Sequence, residues 1–279
     1  MTTVLKVLAG LALAYAVIVA LAWRFQERLA FPGPGSPDRS PADAGMPDGE
    51  RVRITTADGV GLVGWYLPPS PPPAAGARAP GLLWFYGNME TVADLGSLVR
   101  ELRPPGIGLL ITDYRGYGQS GGRATERGLY LDGEAAYRFL TSRDEIDPAR
   151  IGVYGRSAGS AVALKLATDT SVRAVVLDSP VTSARAMARR HYPWAPSFTI
   201  HLRLDNLSRA RALKAPLLVF HGDKDFIAPV EMGEAIAAAG RAERFVRIPG
   251  AGHNDTYDAL GDRYRTTLWA FLDAHLRGN

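Results

Sequence analysis

The chain has 279 residues, a formal net charge of +4 and no cysteine. This length suits one large domain with a full hydrophobic core. The arginines are scattered along the chain rather than grouped beside aromatic residues, which argues against a nucleic-acid-binding protein. The lack of cysteine excludes disulfides, thiolate metal sites and a cysteine nucleophile.

The chain begins with an apolar stretch. Residues 7–23 carry no charge, and extension back to Val4 gives 20 residues, which as a helix would span about 30 Å, the thickness of a bilayer core. We therefore predict that residues 1–30 form a single-pass, N-terminal membrane anchor that takes no part in catalysis. A cleaved signal peptide, with its cleavage site at Ala20-Leu21-Ala22, remains the alternative. Because Lys6 precedes the stretch and arginines follow it, the side of the membrane stays open.

Residues 31–50 are rich in Pro, Gly and Asp, so we predict an irregular, extended linker to a catalytic domain over residues 51–279. Within that domain, alternating segments on either side of Asp58-Gly59 predict an antiparallel β-hairpin. Residues 181–210 lie between two later strands and are long enough to form a cap. Their apolar side chains would line a pocket or pack the cap on the core: Met187, Tyr192, Trp194, Phe198 and Ile200.

After the hairpin, continuous apolar segments alternate with helical ones. Strands are predicted at residues 81–86, 107–112, 151–154, 172–177, 216–220 and 244–248. Helices are predicted at residues 91–102, 125–140, after Ser157, at 230–239 and at 257–276. This order predicts an α/β protein with a mostly parallel central sheet, an antiparallel N-terminal hairpin and helices on both faces. Ligands in such sheets bind at the carboxyl ends of the strands.

The pattern G-x-S-x-G occurs twice. Around Ser157, in Gly155-Arg156-Ser157-Ala158-Gly159, it joins an apolar strand to an Ala-rich helix, which is the setting of a nucleophile elbow. Glycines two residues before and after the serine permit the sharp turn. The second match, around Ser120, follows a turn and leads into polar residues. We therefore interpret Ser120 as a loop residue and Ser157 as the candidate nucleophile.

A nucleophilic serine needs a general base, and the base needs an orienting carboxylate. His253 follows the last predicted strand, in a Gly-rich loop before a helix, and is the candidate base. Three aspartates at strand ends are candidates for the acid. We place Asp225 first because the apolar residues behind it can hold its loop rigid. Asp223 is expected to hydrogen-bond the loop, and Asp178 is the alternative acid.

Five motifs follow the order and approximate spacing found in α/β-hydrolases. The chain most resembles the membrane-anchored serine hydrolases with a single N-terminal helix, through YGNM (86–89), DYRGYGQS (113–120), GRSAG (155–159), HGDKD (221–225) and GH (252–253). The resemblance implies Ser157 as nucleophile, Asp225 as acid and His253 as base. It also implies an oxyanion hole made by the backbone N–H groups of Asn88 and Ala158.

One position departs from that family, which usually has His where this chain has Tyr86. Because the implied donors are backbone groups, we expect the oxyanion hole to survive the change.

The motifs together predict a serine hydrolase that cleaves carboxylic esters, with lipid or acyl esters among the candidate substrates, through a Ser-His-Asp triad and an acyl-enzyme. No metal or organic cofactor is expected; the expected partners are a small-molecule or lipid ester and the membrane. Two alternatives stay open: a serine peptidase of the aminopeptidase type, and a membrane-anchored binding protein without activity. A peptidase would need an acidic site for the free amine, for which Glu231, Glu234 and Asp205 are candidates.

Overall fold

The computed structural model describes residues 2–278. Its first element is the helix α1 (Thr2–Ala30), which is continuous over 29 residues. Within the described residues, α1 is the one helix long and apolar enough to cross a membrane, and none of its most apolar window is buried. An apolar helix without a protein partner along most of its surface is consistent with a lipid environment.

One mixed sheet forms the centre of the molecule. Its strands are β1 (Glu50–Thr55), β2 (Gly61–Leu67), β3 (Ala79–Phe85), β4 (Gly108–Thr112), β5 (Ile146–Arg156), β6 (Ala174–Asp178), β7 (Leu217–Gly222) and β8 (Arg244–Ile248). The spatial order is β1-β2-β4-β3-β5-β6-β7-β8, with antiparallel pairing from β1 to β4 and parallel pairing for the rest. The predicted α/β class and mixed sheet are confirmed.

Helices cover both faces of this sheet. They are α2 (Gly96–Leu102), α3 (Glu126–Thr141), α4 (Gly159–Asp169), α5 (Ala184–His191), α6 (Asn206–Ala212), α7 (Val230–Ala239), α8 (Thr256–Leu260) and α9 (Asp262–Leu276). Glycines on β5 show the two faces: Gly152 lies against Leu272 of α9, whereas Gly155 lies against Ala163 of α4. Residues of opposite parity on a strand point to opposite faces, so α4 and α9 sandwich the central strand.

Two predicted helices differ from the observed ones. The helix predicted from residue 91 begins only at Gly96, because the Asp94 carboxylate accepts hydrogen bonds from the N–H and hydroxyl of Thr91 and closes a turn there. The helix predicted over 257–276 is divided into α8 and α9. Gly261 has φ +58° at the break, a conformation that an α-helix cannot contain.

Residues 31–50 are largely irregular, with one short 3₁₀ helix at Ala42–Ala44. They pack against the sheet-bearing part of the chain rather than standing away from it. Phe31 and Met46 are buried in the main core, and the Gly118 N–H donates to Pro34 O at 2.8 Å. Apolar side chains at both ends of the segment therefore hold it to the domain. The division of the chain at residues 30 and 50 stays a prediction.

Residues 181–210 have two parts. The second part, from Asn206, belongs to α6, which contacts α4 and α7. The amide of Asn206 is buried and donates to Ser160 Oγ and Val181 O, which fixes α6 to the body of the domain. The first part consists of α5 and residues 192–204, which contain a short 3₁₀ helix at Ser197–Thr199 and end with Leu202 and Leu204 buried in the core.

Candidate active site

Ser157 sits on a strained turn between β5 and α4. Its φ is +48°, in the left-handed region that non-glycine residues rarely occupy, which is typical of functional turns. The neighbouring glycines have no room for a side chain: a Cβ on Gly159 would lie 2.3 Å from Phe85 O, and one on Gly155 would lie 2.6 Å from the Cβ of Ala163. The Ser157 N–H donates to Asp178 O at 2.9 Å, which ties the turn to β6. The predicted elbow geometry is thus present.

Three side chains from different strand ends meet at this turn. His253 Nε2 lies 2.8 Å from Ser157 Oγ, and His253 Nδ1 lies 2.6 Å from Asp225 Oδ2. A proton on Nδ1 donates to the carboxylate, so Nε2 is left as the acceptor for the serine hydroxyl. The structure thus brings Ser157, His253 and Asp225 into one hydrogen-bonded line.

The carboxylate of Asp225 is fully enclosed, with its side chain 0% exposed. Burial alone raises its pKa, but hydrogen bonds from His221 and His253, the charge of His253 and the Ala228 N–H together hold the pKa well below its usual range. Oδ1 accepts the N–H groups of Ile227 and Ala228 at 2.9 and 2.8 Å. The group therefore stays ionised and fixed, as the partner of an imidazole must be.

The other candidate acids are occupied elsewhere. Asp178 is buried and accepts hydroxyl hydrogen bonds from Tyr154, Tyr264 and Thr256 at 2.7–3.2 Å. Asp223 accepts the N–H of Gly250 at 2.8 Å, which holds the loop before His253. These contacts leave Asp225 as the aspartate on the imidazole.

The implied oxyanion donors come from two segments: Asn88 lies in the loop after β3, and Ala158 lies in the turn between β5 and α4. In the described part of the chain, the backbone N–H groups of Asn88 and Ala158 donate to no other protein group. The Asn88 side chain is fixed on both sides, because Nδ2 donates to Ala30 O at 2.7 Å and Oδ1 accepts from Tyr117 Oη at 2.6 Å. Two backbone donors beside a nucleophile suit a developing oxyanion.

Tyr86, at the departure from the family pattern, is fully buried beneath this loop. Its hydroxyl donates to Asp113 Oδ1 at 2.9 Å, and its carbonyl accepts from Tyr114 Oη at 2.9 Å. Burial raises the pKa of Tyr86 well above its usual value, so the phenol remains a neutral donor. The tyrosine thus supports the loop from below without contributing to its donors.

Two residues at the site were not predicted from the sequence. Arg156 is buried beside the serine; its guanidinium pairs with Glu90 and donates to Asn254 Oδ1 at 2.7 Å and to His253 O at 3.3 Å. Glu90 in turn accepts the Gly87 N–H at 2.8 Å. This ion pair joins the loop that carries His253 to the loop that carries Asn88. The available signal was a basic residue inside the serine motif, which needs a partner if it is buried.

Ser120, in the second match to the pattern, lies in a different setting. Its hydroxyl donates to Asp113 O and accepts from the Val63 N–H, both at 2.8 Å. It therefore serves the loop, as expected. Among residues 2–278, no cluster of three or more His, Asp or Glu side chains could hold a metal ion.

Known proteins share this architecture. A profile of the prolyl oligopeptidase family matches residues 85–279. The uncharacterized protein Rv2307c of Mycobacterium tuberculosis is 37% identical over 90% of this chain and 88% of its own length. The esterase Pf2001 of Pyrococcus furiosus superimposes with a TM-score of 0.68 at 22% identity, over 88% of this chain and 97% of the esterase. An acylaminoacyl peptidase of Pyrococcus horikoshii superimposes with a TM-score of 0.67 at 17% identity, over 83% of this chain and 42% of the peptidase.

At 22% and 17% identity, the two solved structures show only that the fold is shared. The family profile covers more than half of the chain and therefore identifies the family. The resemblance stated from the motifs is confirmed. The chain belongs to the prolyl oligopeptidase family and has the α/β-hydrolase fold.

Proposed function

We propose that this hydrolase cleaves carboxylic esters through an acyl-enzyme on Ser157, with Asp225, His253 and the N–H groups of Asn88 and Ala158 in supporting roles. The observation that carries the proposal is the unbroken hydrogen-bonded line from Ser157 Oγ through the imidazole to the enclosed carboxylate. A binding protein without activity has no need of this line.

In the first half-reaction, Ser157 Oγ attacks the ester carbonyl carbon while His253 Nε2 takes the hydroxyl proton. The carbonyl oxygen becomes an oxyanion that the N–H groups of Asn88 and Ala158 stabilise. The buried carboxylate of Asp225 stabilises the imidazolium. When the tetrahedral intermediate collapses, His253 returns the proton to the leaving alcohol and the acyl group stays on Ser157.

In the second half-reaction, His253 takes a proton from water, and the resulting hydroxide forms the new bond to the acyl carbon. Collapse of this intermediate returns the proton to Ser157 Oγ and releases the carboxylic acid. The cycle needs no cofactor, since every proton passes between water, imidazole and serine.

The surroundings of the triad favour apolar acyl groups. Met89 follows the oxyanion residue directly, and Phe226 and Ile227 follow the acid; all three are exposed and large. We call these three residues the apolar rim; next in the chain to the oxyanion residue and the acid, they suit an acyl chain better than a charged amine. The peptidase alternative loses two of its candidate amine sites, because Glu234 pairs with Arg247 and Asp205 caps α6.

The test is kcat/KM on p-nitrophenyl esters of increasing acyl length, with Ser157→Ala as the control. Each buried methylene contributes at most about 0.8 kcal/mol, which is up to about fourfold in kcat/KM. We expect a rise and then a plateau as the chain outgrows the apolar rim. A steady fall from acetate onward, together with strong cleavage of aminoacyl arylamides, would move the function to the peptidase.

We also propose that α1 is retained as a membrane anchor. Cleavage after Ala22 would separate most of its apolar length from the domain, so the N-terminus of the membrane-bound protein decides the matter. The intact mass of the protein purified from membranes should correspond to a chain that retains residues 1–22. A mass that corresponds to a chain starting near Trp23 would establish a signal peptide.

A further inference from the structure

One face of α1 lies against the cap. Tyr15 and Gln26 form hydrogen bonds to the cap, and Val19 and Ala22, which lie between them at the spacing of a single helical stripe, are partly buried. The Tyr15 hydroxyl donates to Trp194 O at 2.8 Å, and Trp23 packs edge-on against His201 with ring centroids 6.1 Å apart. The helix thus runs beside the cap for about three turns, since 11 residues rise about 16 Å.

Gln26 binds the cap near the C-terminal end of α1. It is buried, and its Oε1 accepts the N–H groups of His201 and Leu202 at 2.9 and 3.0 Å. Its Nε2 donates to Thr199 O at 3.2 Å and contacts His201 Nδ1. A side-chain amide with all these partners fixes the position of the cap relative to α1.

The cap residues beside α1 are apolar and exposed. We name residues 192–200 the cap tip; its sequence, YPWAPSFTI, has no charged side chain. Its large side chains point away from the protein: Phe198 is 85% exposed, and Tyr192 and Trp194 are about half exposed. Exposed aromatic side chains in one short segment mark a contact surface rather than a pocket wall. The exposure of these three side chains therefore argues against the pocket-lining role expected from the sequence.

Part of the backbone of the cap tip is paired within the protein. Two of its nine residues are proline, and four others, Tyr192, Ala195, Thr199 and Ile200, donate their N–H groups within or next to the segment. The Tyr15 hydroxyl satisfies the carbonyl of Trp194. The N–H groups of Trp194, Ser197 and Phe198 have no protein partner among the described residues, so the backbone of the tip suits the hydrated interfacial region of a bilayer and not its hydrocarbon core.

Charge and depth identify the occupant. Arginines stand near both ends of the uncharged tip: Arg189 and Arg190 before it and Arg203 after it. Tyr15 lies eight residues before Trp23, which is about 12 Å along the helix axis into the apolar span. An apolar, aromatic tip beside α1, with arginines at its edge, fits the interfacial region and the anionic surface of a bilayer.

We propose that the cap tip enters the membrane beside α1, as a second lipid-contacting element that holds the active-site entrance at an anionic lipid surface. The inference rests on the proposed anchor. The cap is also joined to the acid loop, because Arg190 donates to Phe226 O at 3.0 Å and His191 Nε2 contacts Ile227 O at 2.9 Å. Immersion of the tip therefore fixes the triad relative to the lipid from which an acyl ester would enter.

The test uses the full chain in phosphatidylcholine vesicles with phosphatidylglycerol. Because the natural sequence has no cysteine, Ser197→Cys supplies a single thiol inside the tip and leaves its aromatic residues intact. Ala75→Cys is the matched control, since it is exposed in the loop before β3, at the opposite end of the sheet. Each variant receives an environment-sensitive nitrobenzoxadiazole label and is quenched by nitroxide lipids or by aqueous iodide.

We expect nitroxide lipids to quench the Ser197→Cys label at least threefold more than the Ala75→Cys label, and iodide to do the reverse. A second variant, Phe198→Ser, should reduce turnover of a vesicle-borne long-chain ester about tenfold and leave a short soluble ester unchanged within about twofold. Equal quenching of the two labels in a protein that resists carbonate extraction overturns this inference and leaves the anchor standing. Extraction by carbonate overturns both the anchor and the insertion of the cap tip. Formation of a disulfide-linked dimer by unlabelled Ser197→Cys in the vesicles would overturn the inference too, because the tip would then contact a second copy of the chain instead of lipid.

Discussion

Ser157 and Ser120 share a five-residue pattern but occupy two regions of different construction. Around Ser157 the backbone is strained and the hydroxyl faces His253, and two backbone N–H groups nearby have no protein partner among residues 2–278. Around Ser120 the hydroxyl is saturated by Asp113 O and the Val63 N–H. The difference teaches that a pattern of glycines around a serine describes a turn, whereas reactivity comes from what the hydroxyl is left to face.

Each region also contains one buried arginine. Arg156 pairs with Glu90 and reaches the loop of His253. Arg115 binds Asp132 and Asp58, and so holds the turn before Ser120 to α3 and to the first hairpin. The same residue type thus connects loops at the site in one case and supports the fold in the other, which the following variants separate.

The largest contrast is expected between two aspartates of the Ser157 region. Asp225→Asn should lower kcat by about 10³- to 10⁴-fold, because the amide favours the wrong imidazole tautomer. Asp178→Asn should leave kcat within about tenfold and lower the free energy of unfolding by about 1–3 kcal/mol, since the buried hydroxyls around it lose a charged acceptor. Steady-state kinetics and urea unfolding of both variants measure the contrast, and the reverse pattern would place the acid on β6.

A smaller effect on turnover is expected for the buried arginine at the site. Arg156→Met should lower kcat about 10- to 100-fold with little change in KM, because the two loops lose their connection and small misplacements of catalytic groups are costly. Arg115→Met is the matched control, which should reduce stability and leave kcat per folded molecule unchanged within about threefold. Recovery of much of the lost kcat in Arg156→Lys would support a positioning role. An unaltered kcat in Arg156→Met would exclude it.

Ser120→Ala should have an effect on stability alone. The variant loses two hydrogen bonds of a partly buried hydroxyl, so the free energy of unfolding should fall by about 1–2 kcal/mol while kcat stays within about twofold. Urea unfolding with kinetics on the same preparation gives both quantities. A loss of kcat comparable to that of Ser157→Ala would mean that the two regions share the chemistry.

The smallest effect concerns the pH dependence of stability. The backbone N–H and the guanidinium of Arg115 lower the pKa of Asp132, but burial has the larger effect and raises it to about 6. A carboxyl with a raised folded pKa stabilises the fold below its unfolded pKa and loses that contribution as pH rises through about 6. Asp225, whose pKa is lowered, acts in the opposite sense and loses its contribution in acid. The free energy of unfolding of the unsubstituted protein should therefore fall by on the order of 1 kcal/mol between pH 4.5 and 7, and Asp132→Asn should remove this decline. Urea unfolding of both proteins at several pH values measures it. The same pH dependence of the free energy of unfolding in both proteins would contradict this prediction.

The sequence predicted what depends on local pattern. The alternation of apolar strands and helices predicted the sheet, and the strand-to-helix setting of Ser157 distinguished it from Ser120. The sequence could not predict contacts between distant segments: Gln26 with Leu202, and the Asn88 amide with Ala30, join residues more than 50 positions apart. These contacts make the end of α1 part of the folded domain, although composition alone predicted an anchor followed by a loose linker.

The exposure of the cap tip shows a second limit. An apolar segment between strands predicts a pocket wall or cap packing equally well, because side-chain direction follows from tertiary contacts and not from composition. Phe198 and Trp194 face outward because Gln26 and Tyr15 hold their backbone against α1.

The most direct test of the central claim is the site of covalent labelling by a fluorophosphonate probe in the full-length protein. The probe reacts with a serine that a neighbouring base activates, so mass spectrometry of the digested protein should place one adduct on Ser157, and Ser157→Ala should remain unlabelled. An adduct on Ser120, or labelling retained in Ser157→Ala, would contradict the account.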